Sequence, residues 1–289
     1  MKFLHIIYAL IVPIAWGINV VAMKVSVTEF PALFSNLIRF GLAAIILIPF
    51  LKKITFNKYL FYTVFYYSTG ISLATLSVRG DASAALTILL FQLNVPITAL
   101  LSSLIFKDKL DARKLLGIFI SFVGIGVIFF KPHMKYDYES IFLVLLSACF
   151  WAMFNINLKQ INDPNKMSLL GWVLLISVPY LFVTCIYFDH FDYDIAIHAS
   201  LFAWGGIILS AIFSTIVGFG LWSYLVQRYP LSIIAPFNLL APISGALFSF
   251  VVFGEKLNFA FAVGTIITLI GVITVVIGRK KSGSKTATK

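Results

Sequence analysis

Ten apolar runs, each about 20 residues long and separated by short polar connections, fill this chain of 289 residues. They fall near 4–25, 32–51, 60–78, 83–106, 115–130, 141–158, 169–188, 201–226, 232–253 and 259–277. At about 1.5 Å per residue, a helix of that length crosses a hydrocarbon layer of roughly 30 Å. Lipid offers the backbone no water, so each run is expected to satisfy its own N–H and C=O groups as a helix. Composition agrees, because 61% hydrophobic and 11% charged residues leave no polar shell for a water-soluble globule. An all-α integral membrane protein with ten transmembrane helices is expected. The first run follows Lys2 but is too long for a secretory signal and has no small-residue cleavage site, so it reads as a span.

The chain also repeats itself. AWGINVVAMK around Trp16 returns as FWAMFNINLK around Trp151, a shift of 135 that lays Lys24 on Lys159. PITALLSSLIFKDKL at 96–110 returns as PISGALFSFVVFGEKL at 242–257, and Gly117 and Gly124 fall on Gly264 and Gly271. The units are two five-span repeats, 1–132 and 133–280, and a basic tail, 281–289. An odd number of spans per repeat inverts the second copy, which predicts a pseudo-two-fold axis in the membrane plane and a solute site near mid-depth. With the N-terminus inside, 16 of the 22 basic residues fall on the cytoplasmic side, five fall outside and Arg39 lies within a span. The positive-inside rule therefore places both termini in the cytoplasm. LDARKLL of the first repeat becomes LNFAFAV in the second, so the basic pair Arg113 and Lys114 vanishes where the rule disfavours it. The net charge of +11 thus reflects topology, and no nucleic-acid partner is implied.

None of the eleven carboxylates lies deep in a run, so no buried acid relay is expected. Arg39 is the one charge well inside a span, as an anchor for a substrate carboxylate through bidentate hydrogen bonds or as a structural lock onto carbonyls or Asn36. Lys24 and Lys159 end equivalent helices and read as gate residues or as snorkelling lysines. The uncharged polar groups within runs are Asn19, the stretch Tyr66-Tyr67-Ser68-Thr69, Gln92, Asn94, Asn155, Asn157, Ser214, Thr215 and Asn238. Amides donate and accept at once, which suits a zwitterion, and Asn19, Asn155, Gln92 and Asn238 lie on the repeated segments. Trp16 and Trp151 sit mid-span, away from the interfacial belt, and are expected against a central cavity or in packing. Pro96, Pro236 and Pro242 are expected to bend helices, and glycines at 117, 124, 264 and 271 to give smooth faces for helix contacts or a homodimer. Cys149 and Cys185 lie within runs and imply no disulfide. His5, His133, His190 and His198 lie near run ends or in connections, so no metal, cofactor or enzymatic centre is expected. A membrane receptor or scaffold would leave the inverted duplication unexplained.

Those motifs, in this order across two halves, resemble the drug/metabolite transporter superfamily and its EamA family. The resemblance is carried by AWGINVVAMK, LIRF at 37–40, FKDKL with Gly117 and Gly124, FWAMFNINLK, STIVGFGLW at 214–222 and IIAPFNLLAPISGALFSFVVFGEKL at 233–257. The wording is most similar to the branch of O-acetylserine and cysteine exporters. Asp108 stands where the family pattern generally has glutamate, as the second half does at Glu255, and the charge is kept. The resemblance implies an alternating-access carrier, multi-pass in a bacterial inner membrane, that moves amino acids or related small zwitterionic metabolites, as an exporter or exchanger. Import or exchange of another metabolite such as S-adenosylmethionine, or export of quaternary cations, are the alternatives within the superfamily. The site residues expected to line the path are Trp16, Asn19, Arg39, Gln92, Trp151, Asn155 and Asn238, with Lys24 and Lys159 at gates.

Overall fold

The computed structural model describes residues 2–79, 84–106, 112–129, 137–161, 165–189, 193–228, 237, 240–254 and 259–277. The first half contains α1 (Phe3–Ser26), α2 (Ala32–Leu47) running into a 3-10 turn (Ile48–Phe50), α3 (Lys58–Leu76), α4 (Ala84–Phe91), α5 (Asn94–Phe106) and α6 (Ala112–Phe129). The second contains α7 (Tyr138–Gln160), α8 (Lys166–Phe188), the short α9 (Tyr193–His198), and α10 (Leu201–Leu209) continued by a π-helical stretch (Ser210–Gly218) into α11 (Phe219–Arg228). α12 (Leu240–Phe253) and α13 (Phe259–Ile277) complete it. No strand occurs among the described residues. Among the described residues, five helices are long and apolar enough to cross a membrane: Phe3–Ser26, Ala32–Phe50, Tyr138–Gln160, Met167–Phe188 and Leu201–Leu225. Shorter apolar helices cover Thr87–Thr98, Leu115–Val127, Leu240–Phe253 and Phe259–Gly271.

Helix pairing is symmetric under exchange of the halves. α2 packs on α8 and α6 on α13, each pair mapping onto itself, while α3 against α7 mirrors the α10–α11 rod against α1. Likewise α1 against α12 mirrors α7 against α4 and α5. Sequence duplication is thus expressed as duplicated packing.

The fourth run is interrupted. α4 stops at Phe91 and α5 begins at Asn94, whose side chain donates to the Phe91 carbonyl. Pro96 is the third residue of α5, whose start follows the turn at 92–93, and Pro242 lies in α12, the residues before which are outside those described. A first-turn N–H has no intrahelical acceptor, so proline costs little there and starts a helix instead of bending one. Among the described residues, Pro13 and Pro179 lie inside helices, α1 and α8. Pro236 lies outside the described residues.

The α6–α13 contact depends on backbone approach. A Cβ on Gly124 would come 2.5 Å from the Thr268 nitrogen and 2.8 Å from the Gly264 oxygen, and one on Gly271 would come 2.6 Å from the Gly117 oxygen. Small residues let helices close in this way in lipid, where burial of apolar surface supplies no drive. The glycine faces therefore meet each other within one chain.

α2 and α8 are antiparallel and tied at both ends. At one end Asp189, the C-cap of α8, accepts hydrogen bonds from the Leu33 and Phe34 N–H groups and pairs with Arg79 at 2.7 Å. That carboxylate satisfies orphan donors of the α2 N-terminus and meets its positive dipole end. At the other end the Ser168 hydroxyl accepts from the Lys52 N–H at 2.8 Å, and the Trp172 indole donates to the Lys52 carbonyl at 2.9 Å. On the Asp189 side Glu29 also receives the N–H and hydroxyl of Ser200, the N-cap of α10.

Candidate functional site

At the centre, elements from both halves present aromatic side chains to one another. Trp16 of α1 and Trp151 of α7, the duplicated tryptophans, meet edge to face with centroids 6.4 Å apart. Phe219, the first residue of α11, touches Trp16 at 5.6 Å, Trp151 at 5.4 Å and Tyr67 at 5.2 Å. Tyr67 also lies 5.1 Å from Phe154 and stacks on Phe40 at 5.1 Å. Phe91, at the α4–α5 break, reaches Trp151 at 5.3 Å. Edge-to-face contacts contribute about 0.5–1.5 kcal/mol each beyond burial, so the cluster joins α1, α3, α4, α7 and α11 into one unit.

Arg39 borders this cluster. It is 2% exposed and bonds to the π-helical stretch, with Nε donating to Thr215 Oγ1 at 2.9 Å and the guanidinium Nη2 donating to Ser214 Oγ at 3.3 Å. Its Cζ lies 5.7 Å from the Phe40 ring, and the Tyr67 phenol is within electrostatic reach. The Thr215 hydroxyl donates back to the Ser210 carbonyl five residues earlier, within the π-helical stretch. Gly218 ends that stretch, and a Cβ there would come 2.8 Å from Trp16 Nε1. Replacing this glycine would push the indole out of place.

Neutral hydroxyls satisfy only some of the guanidinium. Arg39 Nη1, the Tyr67 hydroxyl and Trp16 Nε1 are all buried without a hydrogen-bond partner among the described residues. Arg39 makes no ion pair with a described carboxylate. Leaving such donors unpaired is costly, and costlier for a charge, so the arrangement is suited to receive an acceptor. A cavity of about 20 Å³, room for about one water, lies beside the cluster, lined by Tyr67, Phe154, Leu158, Leu169, Leu170, Val173, Phe219 and Ser223.

Of the residues expected from the sequence, Trp16 and Trp151 meet directly, and Arg39 is linked to them through Phe40 and Tyr67. Asn19 lies one turn from Trp16, 8% exposed, with its amide nitrogen 3.1 Å from Met23 Sδ and its Oδ1 unpartnered. Gln92 is buried at the α4–α5 break beside Phe91. Asn155 is half-buried on α7 and makes none of these contacts. Asn238 lies outside the described residues. Lys24 places its ammonium 4.9 Å from the Phe253 ring at the end of α12, and Lys159 is exposed in the last turn of α7. Asn36 pairs with Thr75, not with Arg39, and Arg39 bonds hydroxyls, not carbonyls. Tyr67, Ser214 and Thr215 were visible as polar groups within runs, but nothing in the sequence linked them to Arg39. Phe40, Phe154 and Phe219 carried no such signal beyond membership of the repeated or family-like segments. Among the described residues no group of histidine, cysteine, aspartate and glutamate is placed to hold a metal.

The EamA-like transporter family model matches residues 3–130 and again 139–277. A protein of Salmonella typhimurium named probable amino-acid metabolite efflux pump is 28% identical over 281 residues, covering 93% of this chain and 94% of that one. Its Escherichia coli namesake is 28% identical over 285 residues, 94% of each. An uncharacterized transporter of Acidianus ambivalens is 24% identical over 67% of this chain and 72% of that one. A solved crystal structure, 11% identical, superposes with a TM-score of 0.69 over 95% of this chain and 96% of that one, a likeness of fold. Matched separately in both halves, the chain belongs to the EamA-like transporter family of the drug/metabolite transporter superfamily, and it is a multi-pass membrane transporter rather than an enzyme.

Proposed function

We propose that this transporter carries amino acids or close derivatives across a bacterial inner membrane by alternating access, as an exporter or exchanger. The observation that carries the reading is Arg39: a buried guanidinium with one free edge, bonded across the two halves to Ser214 and Thr215 and set against Phe40 of the aromatic cluster. A substrate carboxylate docked there would replace lost hydration and complete the hydrogen bonding. The names of the Salmonella and Escherichia coli relatives support the substrate class and the direction.

Ten spans in two inverted repeats with both termini in the cytoplasm complete the proposal, supported by the basic residues of the connections and by the exchange symmetry of the packing. In that orientation Leu158, Leu169 and Ser223 place the cavity on the cytoplasmic side of the aromatic cluster. The Glu29–Ser200 and Asp189–Arg79 ties then close the opposite side. An outward-closed state with its remaining space toward the cytoplasm fits a carrier that loads from within.

The test is exchange of labelled cysteine, O-acetylserine and leucine in proteoliposomes with Arg39→Gln and Arg39→Lys. Both variants should lose at least about tenfold in exchange while remaining monodisperse in detergent, because lysine cannot reproduce the planar fork. Unchanged exchange in Arg39→Gln rejects the anchor.

A further inference from the structure

Charge balance around Arg39 bears on which carboxylates fit. Of the buried polar atoms left without a partner, Arg39 Nη1 and Trp16 Nε1 can only donate, and the Tyr67 hydroxyl can donate as well. The rings of Phe219 and Phe40 hold these three in one neighbourhood, since Phe219 touches both Trp16 and Tyr67 while Phe40 stacks on Tyr67 and follows Arg39 in the chain. Ser214 and Thr215 each accept one hydrogen bond from the guanidinium. The acceptor-only atom in the unpartnered set is Asn19 Oδ1, a neutral amide one turn from Trp16. Every described carboxylate, Glu29, Asp137, Glu139, Asp189 and Asp194, lies at a helix end or in a connection.

A zwitterion bound here would leave the site cationic. Its ammonium sits on the carbon next to its carboxylate, hence close to the guanidinium, and no described acid lies within the spans to balance it. In a low-dielectric interior, like charges at that separation repel and an unbalanced charge is unfavourable. A monoanion instead brings the site to neutrality. The geometry points to a site that selects the carboxylate and not the ammonium, with the Tyr67 hydroxyl as a second carboxylate ligand beside Arg39, so that 2-hydroxy acids and other amino-acid derivatives lacking the positive charge bind at least as well as the amino acid itself. This rests on the reading of Arg39 as the carboxylate anchor and narrows it to a charge class.

The test uses full-length protein in detergent and three nearly isosteric probes, leucine, 2-hydroxy-4-methylpentanoate and leucinamide, titrated by thermal shift. The hydroxy acid should stabilise at concentrations equal to or below those needed for leucine. Leucinamide, which keeps the ammonium and loses the carboxylate, should be weaker by at least roughly tenfold, as loss of a charged hydrogen-bond pair implies. Tyr67→Phe, which keeps the ring and its stacking, should weaken leucine and the hydroxy acid equally, by about 3–10-fold, the worth of one neutral donor. A hydroxy acid tenfold weaker than leucine overturns the charge selection and leaves Arg39 intact as anchor. Leucinamide as effective as leucine sinks the anchor itself. Stabilisation by none of the probes, or undiminished binding of both acids to Tyr67→Phe, also overturns the proposal.

Discussion

Adding a single methyl at Gly124 should force α6 and α13 apart, and the same change two residues away should not. A Cβ at Gly124 would lie 2.5 Å from the Thr268 nitrogen and 2.8 Å from the Gly264 oxygen, both backbone atoms that no side-chain rotation can clear. Ordinary carbon contacts begin near about 3.5 Å, so the helices must separate by roughly 0.5–1 Å. A gap of that size forfeits about a quarter to a half of each dispersion contact along the seam. Overpacking of this kind costs about 1–3 kcal/mol. Gly126 has nothing within 4 Å of its Cβ position, and alanine there contributes up to about 1 kcal/mol through helix propensity. Gly124→Ala should therefore melt roughly 2–12 °C below the wild type and Gly126→Ala at or above it, taking about 2–4 °C per kcal/mol for a chain of this size. Gly271→Ala, which meets the Gly117 oxygen at 2.6 Å, should behave like Gly124→Ala. Thermal unfolding in one detergent, followed by size-exclusion recovery, reads the difference. Equal melting of Gly124→Ala and Gly126→Ala would refute the close backbone contact.

Asp189→Ala removes the carboxylate that caps α2 and pairs with Arg79, and should cost about 1–3 kcal/mol, whereas Arg79→Ala should cost at most about 1 kcal/mol because that arginine is half exposed. Melting curves of the two variants separate cap from ion pair. Glu29 is held below its ordinary carboxyl range by the Ser200 hydroxyl first and the Ser200 N–H second. Its contribution is present above the unfolded value of about 4.3 and fades as pH falls below it, so acid should lower the melting temperature of the wild type more steeply than that of Glu29→Gln below that pH. Parallel acid profiles would remove Glu29 from the closure. Thr215→Val, which keeps the shape and deletes the acceptor for Arg39 Nε, should lower stability by about 1–3 kcal/mol, since a buried charged donor loses its partner. An unchanged melting curve would mean that the guanidinium is satisfied elsewhere.

Helical class and duplication were legible because both are properties of local pattern: run length fixes the helix, and repeated Trp16 and Trp151 segments fix the equivalence of halves. The breaks were less legible. The fourth apolar run has no polar interruption strong enough to announce that α4 ends at Phe91, and Pro96 reads equally as a bend or a start until its neighbours are known. The π register of Ser210–Gly218 likewise follows from tertiary fit, with Arg39 reaching Thr215 from 176 residues away. Burial of Arg39 was readable from its depth in a span, but its partners were not, since hydroxyls at Ser214 and Thr215 look like ordinary helix glue in sequence. Trp16 and Trp151 stood out in the sequence because tryptophan away from the interface is unusual, whereas Tyr67 and Phe219 lacked any comparable mark.

Counterflow in proteoliposomes addresses the carrier most directly. Vesicles containing the wild-type protein and preloaded with unlabelled amino acid should accumulate the labelled form transiently above equilibrium, as two access states of one site require. Binding of the labelled solute to the protein without any overshoot, in vesicles where the protein is folded and correctly inserted, would contradict the account.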